Sequence, residues 1–165
     1  MPVVVLWGCL MDRAQSQFLR IYDAAGITYQ RWQNFYSNAI VSWDSASWVY
    51  VAFTASGVAS DVTGDEGGIT LTLPATSVVV QAVDLAMEQA RLFEVRTYEF
   101  DPVADGVSSP PAGQTLVAAF LGEITAASER DFELTLDLGS SLSPIGAQIP
   151  PRTLTNDLIG SGMQF

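Results

Sequence analysis

Residues 69–100 read ITLTLPATSVVVQAVDLAMEQARLFEVRTYEF. Ile69, Leu71 and Leu73 alternate with threonine, so they share one face of a strand. Pro74 lacks a backbone N–H and ends it. Thr76 or Ser77 offers the side-chain oxygen that caps a helix. Val79, Val83, Ala86 and Ala90 then recur at spacings of three and four, with Val80 and Met87 beside them. Asp84, Glu88 and Gln89 fall on the other side. This pattern predicts one amphipathic helix over about 77–91, lying on a sheet. From Phe93 to Phe100 the period returns to two, with Phe93, Val95 and Thr97 on one side. The unit is strand, helix, strand.

Upstream, Phe18–Tyr22 and Ile27–Trp32 are β-prone runs around the turn residues Asp23-Ala-Ala-Gly26, which predicts a hairpin. Further strands are expected at Tyr36–Ser42 and Trp48–Thr54. Ala55–Gly68 is polar and glycine-rich, hence a loop. Downstream, Asp101–Gly113 is a Pro/Gly/Ser loop. Thr115–Thr125 is nearly continuously apolar, so a central strand covered on both faces is expected. Ser128-Glu-Arg130 is expected to turn the chain into Asp131–Leu138, where Phe132, Leu134, Leu136 and Leu138 face in and Asp131, Glu133, Thr135 and Asp137 face out.

Past Gly139 the chain changes character. Pro144, Pro150 and Pro151 forbid a long regular element. Leu154, Leu158, Ile159, Met163 and Phe165 make it more apolar than a disordered tail. The expected organisation is a β-rich domain over 1–138 and an extended C-terminal arm over 139–165. No internal repeat is visible. Strands, one helix, then more strands imply a mainly β fold with one packed helix, as an antiparallel sheet or a barrel.

The 165 residues carry a net charge of −11, with 15% charged residues. There is no histidine and no lysine; all seven basic residues are arginine. Nothing supplies a basic patch for direct nucleic-acid binding, and anionic lipid is disfavoured for the same reason. The low charged fraction suits a protein that covers its outside with neighbours. Cys9 is the only cysteine, so an internal disulfide is impossible, and it reads as a small buried apolar residue. The run Val3–Met11 is too short to span a bilayer and lacks a basic flank, so it reads as an N-terminal strand or arm, and no membrane anchor is expected.

Histidine- and lysine-based catalysis is excluded by composition, as are a P-loop and a Cys/His zinc site. Carboxylates remain. Glu99 with Glu123 or Glu133 could form a general-acid pair, although solvated strand faces offer such pairs routinely. Asp61, Asp65 and Glu66 could hold calcium, but their spacing fails the EF-hand pattern. Asp101 and Asp105 read as turn formers. No catalytic residue, metal site or cofactor is expected. Trp7, Trp32, Trp43 and Trp48 crowd the first fifty residues with Tyr22, Tyr29, Tyr36 and Tyr50. They fit a core, an interface or a sugar-stacking row. As interface candidates we single out Trp32, Trp43 and Trp48, with Pro150, Pro151, Arg152, Leu154, Leu158 and Phe165 from the arm.

The order of segments resembles the minor tail and tail-tip (baseplate) structural proteins of long-tailed bacteriophages. The residues that carry the likeness are Phe18–Tyr22, Gly26-Ile-Thr-Tyr29, Gly67–Leu73, the helix from Val78 to Ala90, and Phe93–Phe100. They are followed by the hairpin from Ala118–Ile124 to Phe132–Leu138. Leu121-Gly-Glu-Ile124 and Ile149-Pro-Pro-Arg152 stand where that family has a Gly-x-Ile strand and a Pro-Arg lead into a tail. The likeness covers Phe18 to Arg152. Some of those proteins end in a cysteine cluster holding an iron–sulfur centre; here no cysteine follows Arg152, so no such cluster can form. The resemblance implies a tail-tube- or hub-like β domain that joins tube to hub or spike. Its partners would be other phage tail or baseplate proteins and further copies of itself in a ring, and its place the virion tail. A carbohydrate- or host-surface-binding β module is the alternative.

Overall fold

In the computed structural model the described residues are 13–37, 39–57 and 68–140. They form β1 (Ala14–Tyr22), β2 (Thr28–Gln33), β3 (Ile40–Trp43), β4 (Ala46–Tyr50), β5 (Thr54–Ser56), β6 (Ile69–Pro74), α1 (Ser77–Glu88), β7 (Leu92–Phe100), β8 (Thr115–Arg130) and β9 (Glu133–Ser140). The strands hydrogen-bond in the order β3-β4-β2-β1-β7-β8-β9-β6-β5. The sheet is open, not closed into a barrel. It is mixed, because β2 and β4 run parallel while the other pairs are antiparallel.

The local chemistry sets each element. At the β1–β2 turn Asp23 Oδ1 accepts the N–H groups of Ala25 (3.0 Å) and Ile27 (2.9 Å), and Tyr29 Oη donates to Oδ2 at 2.9 Å. These bonds, that from Ile27 first, hold the Asp23 carboxyl below the usual carboxylate range. Gly26 takes the positive φ, +86°, that closes the turn. Thr76 caps α1, its Oγ1 accepting from Val79 N at 3.4 Å. The helix stops at Glu88, short of 91: Ala90 adopts φ +47° and Arg91 N–H returns to the Ala86 carbonyl at 2.9 Å. That is the left-handed C-terminal cap that glycine usually supplies. Ala90 therefore lies outside the helix, and Met87 is exposed rather than buried.

Adjacent residues of β1 point to opposite faces, and both faces are covered. Leu19 and Ile21 join Trp32, Phe93 and Val95, the inward residues of β6 and β9, and Val79, Ala82, Val83 and Ala86 of α1 in the main core. Phe18 faces the other way into a second cluster with Tyr36, Val41, Trp48 and Tyr98. The alternations expected for Ile69–Leu73 and Leu134–Leu138 hold, with Ile69 and the five leucines Leu71, Leu73, Leu134, Leu136 and Leu138 buried. Each such side chain contributes about 1.5–3 kcal/mol by leaving water.

Two expectations are corrected. β8 is central in strand order, yet it is not covered on both faces: Leu116, Val117 and most of its second half are exposed. The polar run Ser128–Arg130 does not turn but continues β8, and the turn falls on Asp131 and Phe132. Phe132 is thereby lifted out of the alternating pattern and is 88% exposed.

The reason for the β8 geometry is a change of neighbours. Thr115–Gly122 bonds to β7 on one side, and Gly122–Arg130 bonds to β9 on the other. The two partners overlap only at Gly122, which faces Phe93 and Ser140. A Cβ on Gly122 would overlap the Gly139 carbonyl oxygen and sit 2.7 Å from the Phe120 ring. The Gly122→Ala variant should therefore lose about 2–3 kcal/mol, the penalty of overpacking against backbone that cannot yield. Urea unfolding would read this as a lower midpoint at unchanged m-value.

Candidate functional site

The tryptophans singled out from the sequence do not form an exposed row. Trp32 is buried in the main core at 3% exposure, and Trp48 in the second at 7%. Trp48 meets the Phe18 ring edge-on at 5.0 Å and donates its indole N–H to the Trp43 carbonyl at 2.9 Å. Trp43 is half-buried, edge-on to Tyr98 at 5.5 Å. The aromatic crowding is thus a consequence of a sheet covered on both faces: Trp32 and Trp48 are core positions, and Trp43 packs half-buried against the second core. Trp7 and all the arm candidates, Pro150, Pro151, Arg152, Leu154, Leu158 and Phe165, lie outside the described residues.

The second core is organised by a buried amide. Gln33, fully buried, accepts from the N–H groups of Phe35 (3.0 Å) and Tyr36 (2.8 Å) through Oε1. Through Nε2 it donates to the carbonyls of Tyr36 (2.8 Å) and Ala39 (3.3 Å). One side chain satisfies a loop that the sequence alone assigned to a strand. The Tyr36 hydroxyl is enclosed near Ser16, with no hydrogen bond of good geometry among the described residues. Burial pushes this phenol up to about 12, with Ser16 pulling weakly the other way.

The carboxylates do not converge. Glu99 accepts from Gln15 Nε2 at 2.8 Å and lies 3.8 Å from Arg13. Its cross-strand partner is Thr115, whereas Glu123 lies opposite Gly139 in the other half of β8 and Glu133 at the far end opposite Arg130. Thr115 and Glu123 are separated by up to roughly 26 Å of strand. Charged side chains on β1 and β7 form a partly exposed ion-pair chain instead. Glu94 takes Arg96 at 2.6 Å and Arg20 at 3.7 Å, and Arg96 reaches Asp44 at 3.8 Å. Asp61, Asp65 and Glu66 lie outside the described residues. Among the described residues no cluster of three metal-ligating side chains exists, and no helix is long and apolar enough to cross a membrane. Asp101 does form a turn, accepting from Val103 and Ala104 N–H at 2.9 and 3.1 Å.

What the fold does present is surface for partners. The first half of β8, Thr115–Leu121, has β7 on one flank and no described strand on the other. Its second half has the reverse. Leu116 and Val117 stand 49% and 43% exposed. At the tip of the β8–β9 hairpin, Phe132 sits at φ +70° and Asp131 at +50°. Positive φ at both positions is what a type I′ hairpin turn needs, and glycine is the usual choice at the second. Phe132 O accepts from Ala75 N at 2.8 Å, pinning the tip beside the start of α1. Next to it Ala52, Thr54, Leu73, Pro74 and Glu133 line an open groove of about 400 Å³. Sequence reading missed both features. The available signals were the lack of any charge in Thr115–Leu121 and a bulky residue directly before a clean alternation.

With this geometry in hand, the comparisons with known proteins are few. No protein-family profile matches the chain, and no curated protein sequence matches it. Among solved structures, it is similar to a chain from the virion of a native gene transfer agent (GTA) particle, with a TM-score of 0.52 and 14% identity. The match covers 82% of this chain and 43% of that one. The fold of this chain is therefore one found in a virion particle, and the chain spans less than half the length of that relative.

Two outcomes follow from the second core and the tip. An unfolded tyrosine ionises near pH 10.0, whereas folded Tyr36 stays neutral to about 12. Stability is thus intact below the lower value and falls as pH rises through that window. Tyr36→Phe should flatten this alkaline slope, read by urea midpoints on either side of it. Phe132→Gly should raise stability by about 0.5–1 kcal/mol, the left-handed strain relieved less the entropy glycine adds to the unfolded chain, read by thermal unfolding.

Proposed function

We propose that this chain is a structural component of a bacteriophage tail tip or baseplate, joining the tail tube to the hub or spike through its β domain and C-terminal arm. The observation that carries this reading is the fold shared over 82% of the chain with a chain of a virion particle. Other features support it. Exposed apolar side chains on β8 and at its hairpin tip, Leu116, Val117 and Phe132, are available to neighbours. The absence of histidine and lysine argues for a scaffold rather than a catalyst. A charge of −11 suits a part that stands near DNA without holding it. The arm, residues 139–165 with Pro150, Pro151, Arg152, Leu154, Leu158 and Phe165, would reach the adjoining tail proteins. Burial of Trp32 and Trp48 weighs against a sugar-stacking row built on them.

The test is location. Particles purified on a density gradient from producing cells should contain the chain in stoichiometric amounts, and gold-labelled antibody should mark the distal end of the tail. A label on the capsid, or particles free of the chain, would sink the reading.

A further inference from the structure

Among the described aspartates, all but one are held by their surroundings. Asp23 accepts two backbone N–H groups and the Tyr29 hydroxyl. Asp44 and Ser45 form the left-handed turn between β3 and β4, at φ +51° and +58°, and Asp44 lies 3.8 Å from Arg96. Asp84 sits inside α1, where the N–H that follows it is committed to the helix ladder. Asp101 caps its own turn and precedes Pro102, which has no N–H. Asp131 pairs with Arg130 at 3.3 Å and precedes the bulky Phe132. Asp137 accepts from Thr70 Oγ1 at 3.0 Å within β9. The described asparagine, Asn34, is fixed by bonds to Gln17 and Phe53. Asp105 is different. It is exposed, and its carboxylate has no partner among the described residues. Gly106 follows it at φ +77°, with open space where a Cβ would stand. No acceptor among the described residues takes the Gly106 N–H.

We propose that Asp105 is a site of spontaneous backbone modification, converting to isoaspartate through a succinimide closed onto Gly106. The Gly106 backbone nitrogen attacks Cγ of Asp105 and forms a C–N bond. The carboxyl hydroxyl and the amide proton leave together as water. Water then adds back at either carbonyl of the five-membered ring. Opening at the Cγ side restores aspartate. Opening at the main-chain side leaves the peptide running through Cβ, which is isoaspartate. No oxidant or co-reactant other than water takes part. Two structural conditions favour this position. Cγ meets the next nitrogen only when the aspartate backbone can leave helical and strand dihedrals, which an exposed loop permits and a hydrogen-bonded ladder does not. A following glycine also offers its nitrogen without a side chain in the way. The product has the same charge, one more backbone carbon at this point, and a free carboxylate on the main chain. Residues 101–114 join β7 to β8 and contribute no side chain to either core cluster, so the fold should persist. The modified chain would be a substrate for S-adenosylmethionine-dependent enzymes that methylate isoaspartyl carboxylates. The inference does not depend on the structural role proposed above.

The test is to age the full chain for weeks in warm neutral buffer made with oxygen-18 water, then map its peptides by mass spectrometry. Each ring opening leaves one heavy oxygen behind. The peptide containing Asp105 should gain that oxygen and split into an aspartate and an isoaspartate isomer, the latter accepting labelled methyl groups from an isoaspartyl methyltransferase. Asp105→Glu should lose both signals at this site, because its ring would have six members. Gly106→Ala should slow them several-fold. Unchanged urea midpoints in both variants would show that folding is intact. A parallel sample aged in urea separates the role of the fold from that of the sequence. Asp105 should react at nearly the same rate folded or unfolded, whereas Asp44, also followed by a small residue, should react only when unfolded. Heavy oxygen entering at another described aspartate first, an Asp105 that reacts only in urea, or heavy oxygen at Asp105 without the isoaspartate isomer would each overturn the proposal.

Discussion

The close approach of Gly122 to the Gly139 carbonyl is the constraint on which the remaining architecture depends. A strand as long as β8 cannot stay flat beside two neighbours while the sheet twists. Here it gives each neighbour one half of its length, changing partners at Gly122. Side chains from β1 and β7 on one side of β8 and from β6 and β9 on the other share one core. Leu19, Val95, Leu71 and Leu136 belong to four different strands and meet there with the inner side of α1. The helix packs on this shared core through a buried stripe of small residues, Val79, Ala82, Val83 and Ala86.

The change of partners at Gly122 also divides the surface. Where a strand has a single partner, half its backbone groups face outward. The protein handles most of these positions with brevity or charge. The exception is Thr115–Leu121, an uncharged stretch with Leu116 and Val117 exposed. Phe132 adds a second exception at the hairpin tip, where an aromatic ring occupies a backbone conformation that L-residues avoid. Both exceptions follow from how β8 ends: its length carries the hairpin beyond the core, and its tip must close in two residues.

Much of the fold was legible in the sequence. The strand–helix–strand unit of 69–100, the β1–β2 hairpin and the leucine alternation of β9 appear where the pattern put them. These are segments whose periodicity and turn chemistry agree. The failures also have physical causes. Continuous apolar sequence in Thr115–Thr125 indicated burial, but a strand that trades neighbours midway uses such residues on partly open faces. The alternation beginning at Phe132 could not reveal that its first member lay in the turn, since period two continues through a tight hairpin. The tryptophans were ambiguous because the deciding fact sits elsewhere: Phe18 and Leu19 are adjacent, both apolar, and point to opposite faces. Of the aromatic interface candidates, Trp32 and Trp48 lie in the two cores and Trp43 packs half-buried against the second. The surface features of β8 came from topology, which no single segment encodes.

Strand order has a further consequence, for synthesis. β1 is the hinge partner of both β2 and β7, and the side-chain bond from Gln15 to Glu99 spans 84 residues. Such distant pairing makes folding slow, because the intervening chain must be closed before the contacts reward it. During translation β1 and β2 emerge together and then wait for β7. In that interval the vacant side of β1 is a growing chain's exposed edge, and its outward residues there include Gln15, Gln17 and Arg20. Until β7 is made, Phe18, Leu19 and Ile21 of that strand lack the neighbours that bury them in the finished sheet, which makes the nascent hairpin the stretch most exposed to wrong pairing.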